Sequence, residues 1–177
     1  VVAYEKLKGQ PEQSNYWLMI DQPLSGGDIN ESFISVDQHI SYYLKIAQVA
    51  KEHGFRLFIK LHPGNYHMER IIDDSNIIWV KQAIKGMNNL IEGASLCIGF
   101  YSSLLMPCIA YKPTVLIEVI NLSWYRHMGK YSNVRILAND DDLSKIIIPN
   151  SPSTNETDVF LSEHGFKHNI KYNENLL

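Results

Sequence analysis

The chain has 177 residues, 45% of them apolar, and a formal net charge of −3. That length suits one domain, or one domain with a tail, and that charge balance gives no support to a nucleic-acid or other polyanionic partner. Lys51, Arg56, Lys60 and Arg70 fall in separate elements rather than in one basic run, and no stretch approaches the roughly 20 apolar residues of a membrane span.

Residues 1–15 are polar and mixed, with Gly9 and Pro11, and read as a linker. No signal peptide is expected ahead of the first strand. The opening Val1-Val2-Ala3-Tyr4, without Met, suits a fragment, a processed form or a trimmed chain. Tyr16-Trp17-Leu18-Met19-Ile20 is a continuous apolar run, as expected of a strand buried on both faces. After Asp21-Gln22-Pro23 comes a flexible loop, Ser25-Gly26-Gly27. Val36, Ile40, Tyr43, Leu44, Ala47 and Ala50 then recur at helical spacing. Ser35 with Gln38 makes a capping box, and Gly54 marks the end of that helix.

Residues 56–60 form the next strand, broken by His62-Pro63-Gly64. The pattern repeats as a strand over 76–80, a helix over 86–93, a strand over 96–99 and a helix over 102–111 in which Pro107 must sit in the first turns or bend the axis. A β-branched strand follows over 114–120, then a strand over 134–137. Asp140-Asp141-Asp142 is expected to open a last helix, its carboxylates complementing the helix dipole. Residues 149–177 read as a C-terminal tail. Cys97 and Cys108 lack CxxC spacing and read as buried small hydrophobes, which fits a reducing compartment. The seven histidines include no HExxH and no i, i+4 pair, so no zinc site is expected.

Alternating strands and helices with apolar strands predict an α/β fold, a Rossmann-like parallel sheet with helices on both faces. Ligands in such sheets bind beyond the carboxyl ends of the strands, which draws attention to the loops at 22–28, 61–66 and 100–103 and to the loop after Ile120. Pro63 fixes a rigid exit from its strand and pushes His62 toward an extended backbone. A histidine so held can donate to a phosphate oxygen or stabilise charge on a leaving phosphate; the same residues also suit an ordinary turn with a surface histidine. Gly99-Phe100-Tyr101-Ser102-Ser103 leads from a strand into a helix, where free N–H groups and two hydroxyls suit an anion and where the serines equally suit N-capping. Gly99 is expected to allow a sharp turn. Ser25-Gly26-Gly27 permits close backbone approach to a ligand but matches neither GxGxxG nor GxxxxGK[ST]. Trp124-Tyr125-Arg126-His127 is expected in a loop, where it can pack on a base or sugar, cover the core, or face another domain.

Lys60-Leu61-His62-Pro63, followed roughly 40 residues later by Ser102-Ser103 on a strand-to-helix turn and then by Lys112-Pro113-Thr114-Val115, resembles the donor domain of bacterial sialyltransferases and polysialyltransferases. Capsule transferases that use CMP-Kdo are similar, as are, more distantly, those that use CDP-glycerol. The resemblance spans about residues 16–120. It implies a single half of a GT-B enzyme: a nucleotide-sugar-binding domain over 16–148, with no cofactor beyond the CMP-linked donor itself. It implies His62 as the catalytic residue, and a donor site of His62, Pro63, Gly64, Ser102, Ser103, Ser25, Gly26, Gly27 and, more weakly, Glu118. It further implies a surface glycan acceptor, an N-terminal acceptor domain outside this chain that carries the general base, and a cytoplasmic location, at most peripheral to the inner membrane.

Two other readings compete. A sugar-nucleotide epimerase half of the same fold needs paired carboxylates at strand ends, and the sequence offers none there. A receiver-like regulatory module needs clustered acidic residues after its first strand and a lysine after a later one, whereas Asp21 is single and Lys112 precedes its strand.

Overall fold

The five residues Tyr16–Ile20 form β1 and are buried along its whole length. In the computed structural model, which describes residues 16–25, 33–81, 86–119, 123–138 and 142–165, β1 is joined by β2 (Arg56–Lys60), β3 (Ile77–Val80), β4 (Leu96–Gly99), β5 (Thr114–Glu118) and β6 (Val134–Ala138). All neighbours pair in parallel, in the order β3-β2-β1-β4-β5-β6. A parallel strand needs cover on both faces, and the parity of the apolar runs supplies it. Trp17, Met19, Leu57, Ile59, Leu96 and Ile98 point into one core layer with Tyr43, Ile46 and Ala47. Tyr16, Leu18, Ile20, Phe58 and Cys97 point into the other with Leu90, Leu105 and Phe160.

The first layer is closed by α1 (Val36–Glu52), the second by α2 (Met87–Gly93), α3 (Leu105–Tyr111) and α5 (Thr154–Glu163); α4 (Ser123–Met128) runs between β5 and β6. The capping box at α1 is formed: Gln38 N–H donates to Ser35 Oγ at 3.1 Å, and Ser35 N–H to Gln38 Oε1 at 2.9 Å. Gly54, at φ 79°, turns the chain out of α1 and into β2.

The buried face of α1 is rotated from the one its apolar spacing suggests. Val36 and Leu44 are 39% and 40% exposed, whereas His39 is fully buried beside Tyr42, Tyr43 and Ile46. A polar residue wins the core position because partners outside the helix satisfy it. The helix expected from Ser102 begins instead at Leu105, so Ser102 and Ser103 occupy the turn before it, and Pro107 falls in the first turn, where an N–H has no intrahelical partner. Asp142 caps a single 3₁₀ turn, Leu143–Lys145, and not a long helix; Asp140 and Asp141 lie outside the described residues. Residues 124–127, expected in a loop, belong to α4. Within the segment read as a tail, α5 packs on α3, burying Phe160 and Leu161 and donating from Thr157 Oγ1 to Ala110 O at 2.8 Å. The 1–15 linker lies outside the described residues, as do residues 166–177.

Gly99 is required by space, not by a turn. It has no positive φ, but a Cβ there would stand 2.8 Å from Leu105 Cδ2 and 3.1 Å from Ile20 O. Helix α3 therefore sits tight against the end of β4. Both cysteines are buried and unpaired by a disulfide; the neighbouring Cys97 first, and burial second, push the Cys108 thiol well up.

Candidate functional site

The strand order reverses direction on the two sides of β1: β2 and β3 lie on one flank, β4, β5 and β6 on the other. Such a switch point opens a crevice beyond the carboxyl ends of the strands. A cleft of about 380 Å³ lies there, and its wall includes Ile20, Asp21, Lys60, His62, Pro63 and Leu104. Its remaining lining comes from Gln22, Leu61, Tyr66, Lys81 and Met87.

His62 leaves β2 in an extended backbone (φ −68°, ψ 143°), as a residue before proline should. Pro63 then starts a 3₁₀ turn, Pro63–Asn65. Gly64 N–H donates to His62 Nδ1 at 3.2 Å. An imidazole that accepts at Nδ1 carries its proton on Nε2, so the turn selects the tautomer and leaves Nε2–H as the donor. Lys60 lines the same cleft and donates from Nζ to Leu61 O at 2.9 Å. Burial pulls its ammonium below the ordinary lysine range, and the Asp21 carboxylate works against that shift. Lys81, the other lysine in the lining, is paired with Glu69 at 2.6 Å.

The most connected side chain is Asp21, placed directly after β1. Its Oδ2 accepts from His62 N–H at 3.0 Å and Asn65 Nδ2 at 2.8 Å. Its Oδ1 accepts from Tyr43 Oη at 2.6 Å and His39 Nε2 at 3.2 Å. A carboxylate only accepts, so His39 bears a proton on Nε2 toward it. The other ring nitrogen, Nδ1, lies 2.9 Å from Ser25 Oγ. Ser25, His39 and Asp21 share the residue types of a hydrolytic triad, but the ring is reversed, with the carboxylate on Nε2 and the serine on Nδ1, and Ser25 is only 2% exposed. The arrangement is a buried hydrogen-bond network, not a nucleophile.

Of the residues singled out in the sequence, His62 and Pro63 line the cleft. Gly64 supports the His62 ring from behind. Ser102 and Ser103 are not part of the lining, but the next residue, Leu104, is. Ser102 Oγ accepts from Leu104 N–H at 3.2 Å, so this hydroxyl shapes the turn ahead of α3. Ser25 turns inward to His39; Gly26 and Gly27 lie outside the described residues. Glu118 ends β5 on the same edge of the sheet; its Oε1 is buried without a hydrogen bond, 3.8 Å from Arg126 Nε. Sequence reasoning gave no site role to Lys60, Asp21, His39, Tyr43 or Asn65. The available signal was position alone: Asp21 and Lys60 end adjacent parallel strands, and Ile20 pairs with Lys60.

Among the described residues no group of three or more His, Cys, Asp or Glu is placed to hold a metal ion, and no helix is long and apolar enough to cross a membrane.

Six parallel strands in this order, with a cleft at the switch point, define a Rossmann-like α/β domain, a fold in which ligands commonly bind at the strand ends. The chain belongs to the alpha-2,8-polysialyltransferase (POLYST) family of glycosyltransferases, whose family model matches residues 4–118. Among solved structures it is similar to a UDP-GlcNAc 2-epimerase from Neisseria meningitidis bound to UDP-GlcNAc, with TM-score 0.50 and 13% identity over 93% of this chain and 43% of that one. At that identity the likeness is one of fold, and the chain spans less than half the length of that epimerase. A comparison with curated proteins finds no match.

Proposed function

We propose that this chain is the donor-binding half, of GT-B type, of an inverting sialyltransferase, taking a CMP-linked sugar (sialic acid or the related Kdo) and passing it to a surface polysaccharide or lipooligosaccharide. The observation that carries the reading is the His62 turn: an imidazole in the wall of a switch-point cleft, its tautomer set by Gly64 so that Nε2–H is free to donate. The family match supports the sialyl-transfer chemistry.

In this reading an acceptor hydroxyl attacks the anomeric carbon and the bond to the nucleotide phosphate breaks. Negative charge grows on the departing phosphate, where His62 Nε2–H donates and the Lys60 ammonium supplies positive potential. The turn at Ser102 and Ser103 flanks the same cleft through Leu104 and is proposed to contact the nucleotide. Gly26, Gly27 and Glu118 are proposed to contribute to donor binding. The general base comes from elsewhere. Among the described residues Asp21 is the sole carboxylate in the cleft lining, and four donors already occupy its oxygens. A second, acceptor-binding domain is therefore proposed to supply the base, so this chain by itself binds nucleotide without turnover.

Thermal unfolding in the presence of CMP, CDP, UDP and GDP tests the reading. A ligand at a hundredfold excess over its Kd stabilises by about 2.7 kcal/mol. Selective stabilisation by cytidine nucleotides is expected. No response to any of them at millimolar concentration, or an equal response to all, would count against it.

A further inference from the structure

Asp21 stands at the cleft but has nothing left to offer a ligand. Burying a carboxylate is costly unless donors surround it, and here the donors fall into two sets. Both partners of Oδ2, His62 N–H and Asn65 Nδ2, belong to the turn that carries His62. Both partners of Oδ1, Tyr43 Oη and His39 Nε2, belong to α1. Asn65 Nδ2 also reaches Gln22 O at 3.0 Å, closing the turn back onto the chain just after β1. The carboxylate thus bridges a rigid helix and the one turn whose imidazole faces the proposed donor.

We propose that Asp21 is the positioning residue of this site. By fixing the main-chain N–H of His62 and the side chain of Asn65, it sets where the imidazole stands relative to the departing phosphate. The proposal rests on the role given to His62 above. Asp21 itself touches no substrate.

Two substitutions separate geometry from charge. In Asp21→Asn the amide oxygen can take the place of Oδ2 and keep both donors of the turn. Its NH₂ then faces Tyr43 Oη, which can accept, and His39 Nε2, which accepts once the ring proton moves to Nδ1 and donates to Ser25. Asp21→Glu keeps the charge but displaces the oxygens by one methylene.

The experiment is a double-mutant cycle in the full-length enzyme, comparing kcat and donor KM for the wild type, D21N, D21E, H62A and D21E/H62A, with a melting temperature for each. D21N preserves the contacts of the turn but removes the charge beside Lys60, so it is expected to lose less than about tenfold in kcat. D21E is expected to lose about a hundredfold in kcat with little change in donor KM, the scale of an ångström-sized misplacement. In the H62A background D21E should add less than about threefold, because the residue it positions is gone. An equal loss in both backgrounds would overturn the proposal, since it would mark a general structural role. So would a tenfold or greater loss in D21N at an unchanged melting temperature, a result that stays decisive if D21E does not fold. A near-normal rate in H62A is a separate result: it removes His62 from the mechanism, and with it the functional reading on which this proposal stands.

Discussion

The phenol of Tyr43 donates to Asp21 Oδ1 across 2.6 Å and so ties the middle of α1 to the end of the central strand. Burial first, and the Asp21 carboxylate second, push the Tyr43 hydroxyl far above the ordinary tyrosine range, so it remains a donor at every working pH. Tyr43→Phe leaves the carboxylate with one donor fewer on that oxygen. It should lower stability by about 1–3 kcal/mol, as loss of a hydrogen bond to a buried charged group does. Urea denaturation of the two proteins measures it; an unchanged midpoint would show that His39 alone satisfies Oδ1.

Gly99→Ala tests the fit of α3 against β4. The added methyl would meet both Leu105 methyls inside 3.0 Å and the Ile20 carbonyl at 3.1 Å, and Leu105 is fully buried. Overpacking of this kind costs about 1–3 kcal/mol. Because the turn 100–104 connects these two elements at the cleft, the same variant should weaken nucleotide binding, which calorimetry would report.

The docking of α5 is expected to depend on pH. Glu156 accepts from Ser132 Oγ and from Ser153 N–H at 2.9 Å, and these bonds, that from Ser132 foremost, bring its carboxyl from 4.5 to about 2. A carboxyl whose pKa is lower in the folded state stabilises the fold above its unfolded value, and that contribution disappears as the pH falls through the folded one. The N-terminus of α5 should therefore loosen between pH 4.5 and about 2. Amide exchange of residues 154–157 followed across that range should show it. In Glu156→Gln those amides should exchange faster at pH 6 and lose much of their acid dependence; unchanged exchange would remove the contact from consideration.

His62→Ala in the full-length enzyme should reduce turnover by about a hundredfold or more, the usual effect of losing one donor to developing charge, about 2.7–4 kcal/mol. Donor KM should change far less, because the bond strengthens as the phosphate departs. Steady-state kinetics with the CMP-linked donor would decide it, and a large rise in KM at constant kcat would recast His62 as a binding residue only.

Much of the fold was legible because its signals are local. The continuous apolar run at 16–20 and the apolar centres at 57–59 and 96–98 locate buried strands, and Ser35, Gln38 and Gly54 bound α1. The errors arose where a local signal had to stand in for a distant partner. Apolar spacing assigned Val36 and Leu44 to the core and left out His39, because nothing near His39 in the chain announces Asp21 or Ser25. The serines at 102 and 103 looked like caps of a helix that starts later.

The same division holds for the site. Chain order alone determined that His62 follows a strand, that Pro63 stiffens its exit and that a serine pair lies where a strand leads into a helix, since these depend on neighbours in sequence. The tertiary structure alone decided which of these groups meet. Pairing β1 between β2 and β4 brings residues 39, 43, 62 and 65 around one carboxylate, that of Asp21. Hydrogen bonds that form across such separations have strength only after the sheet has closed and expelled water, so no stretch of sequence carries their signature.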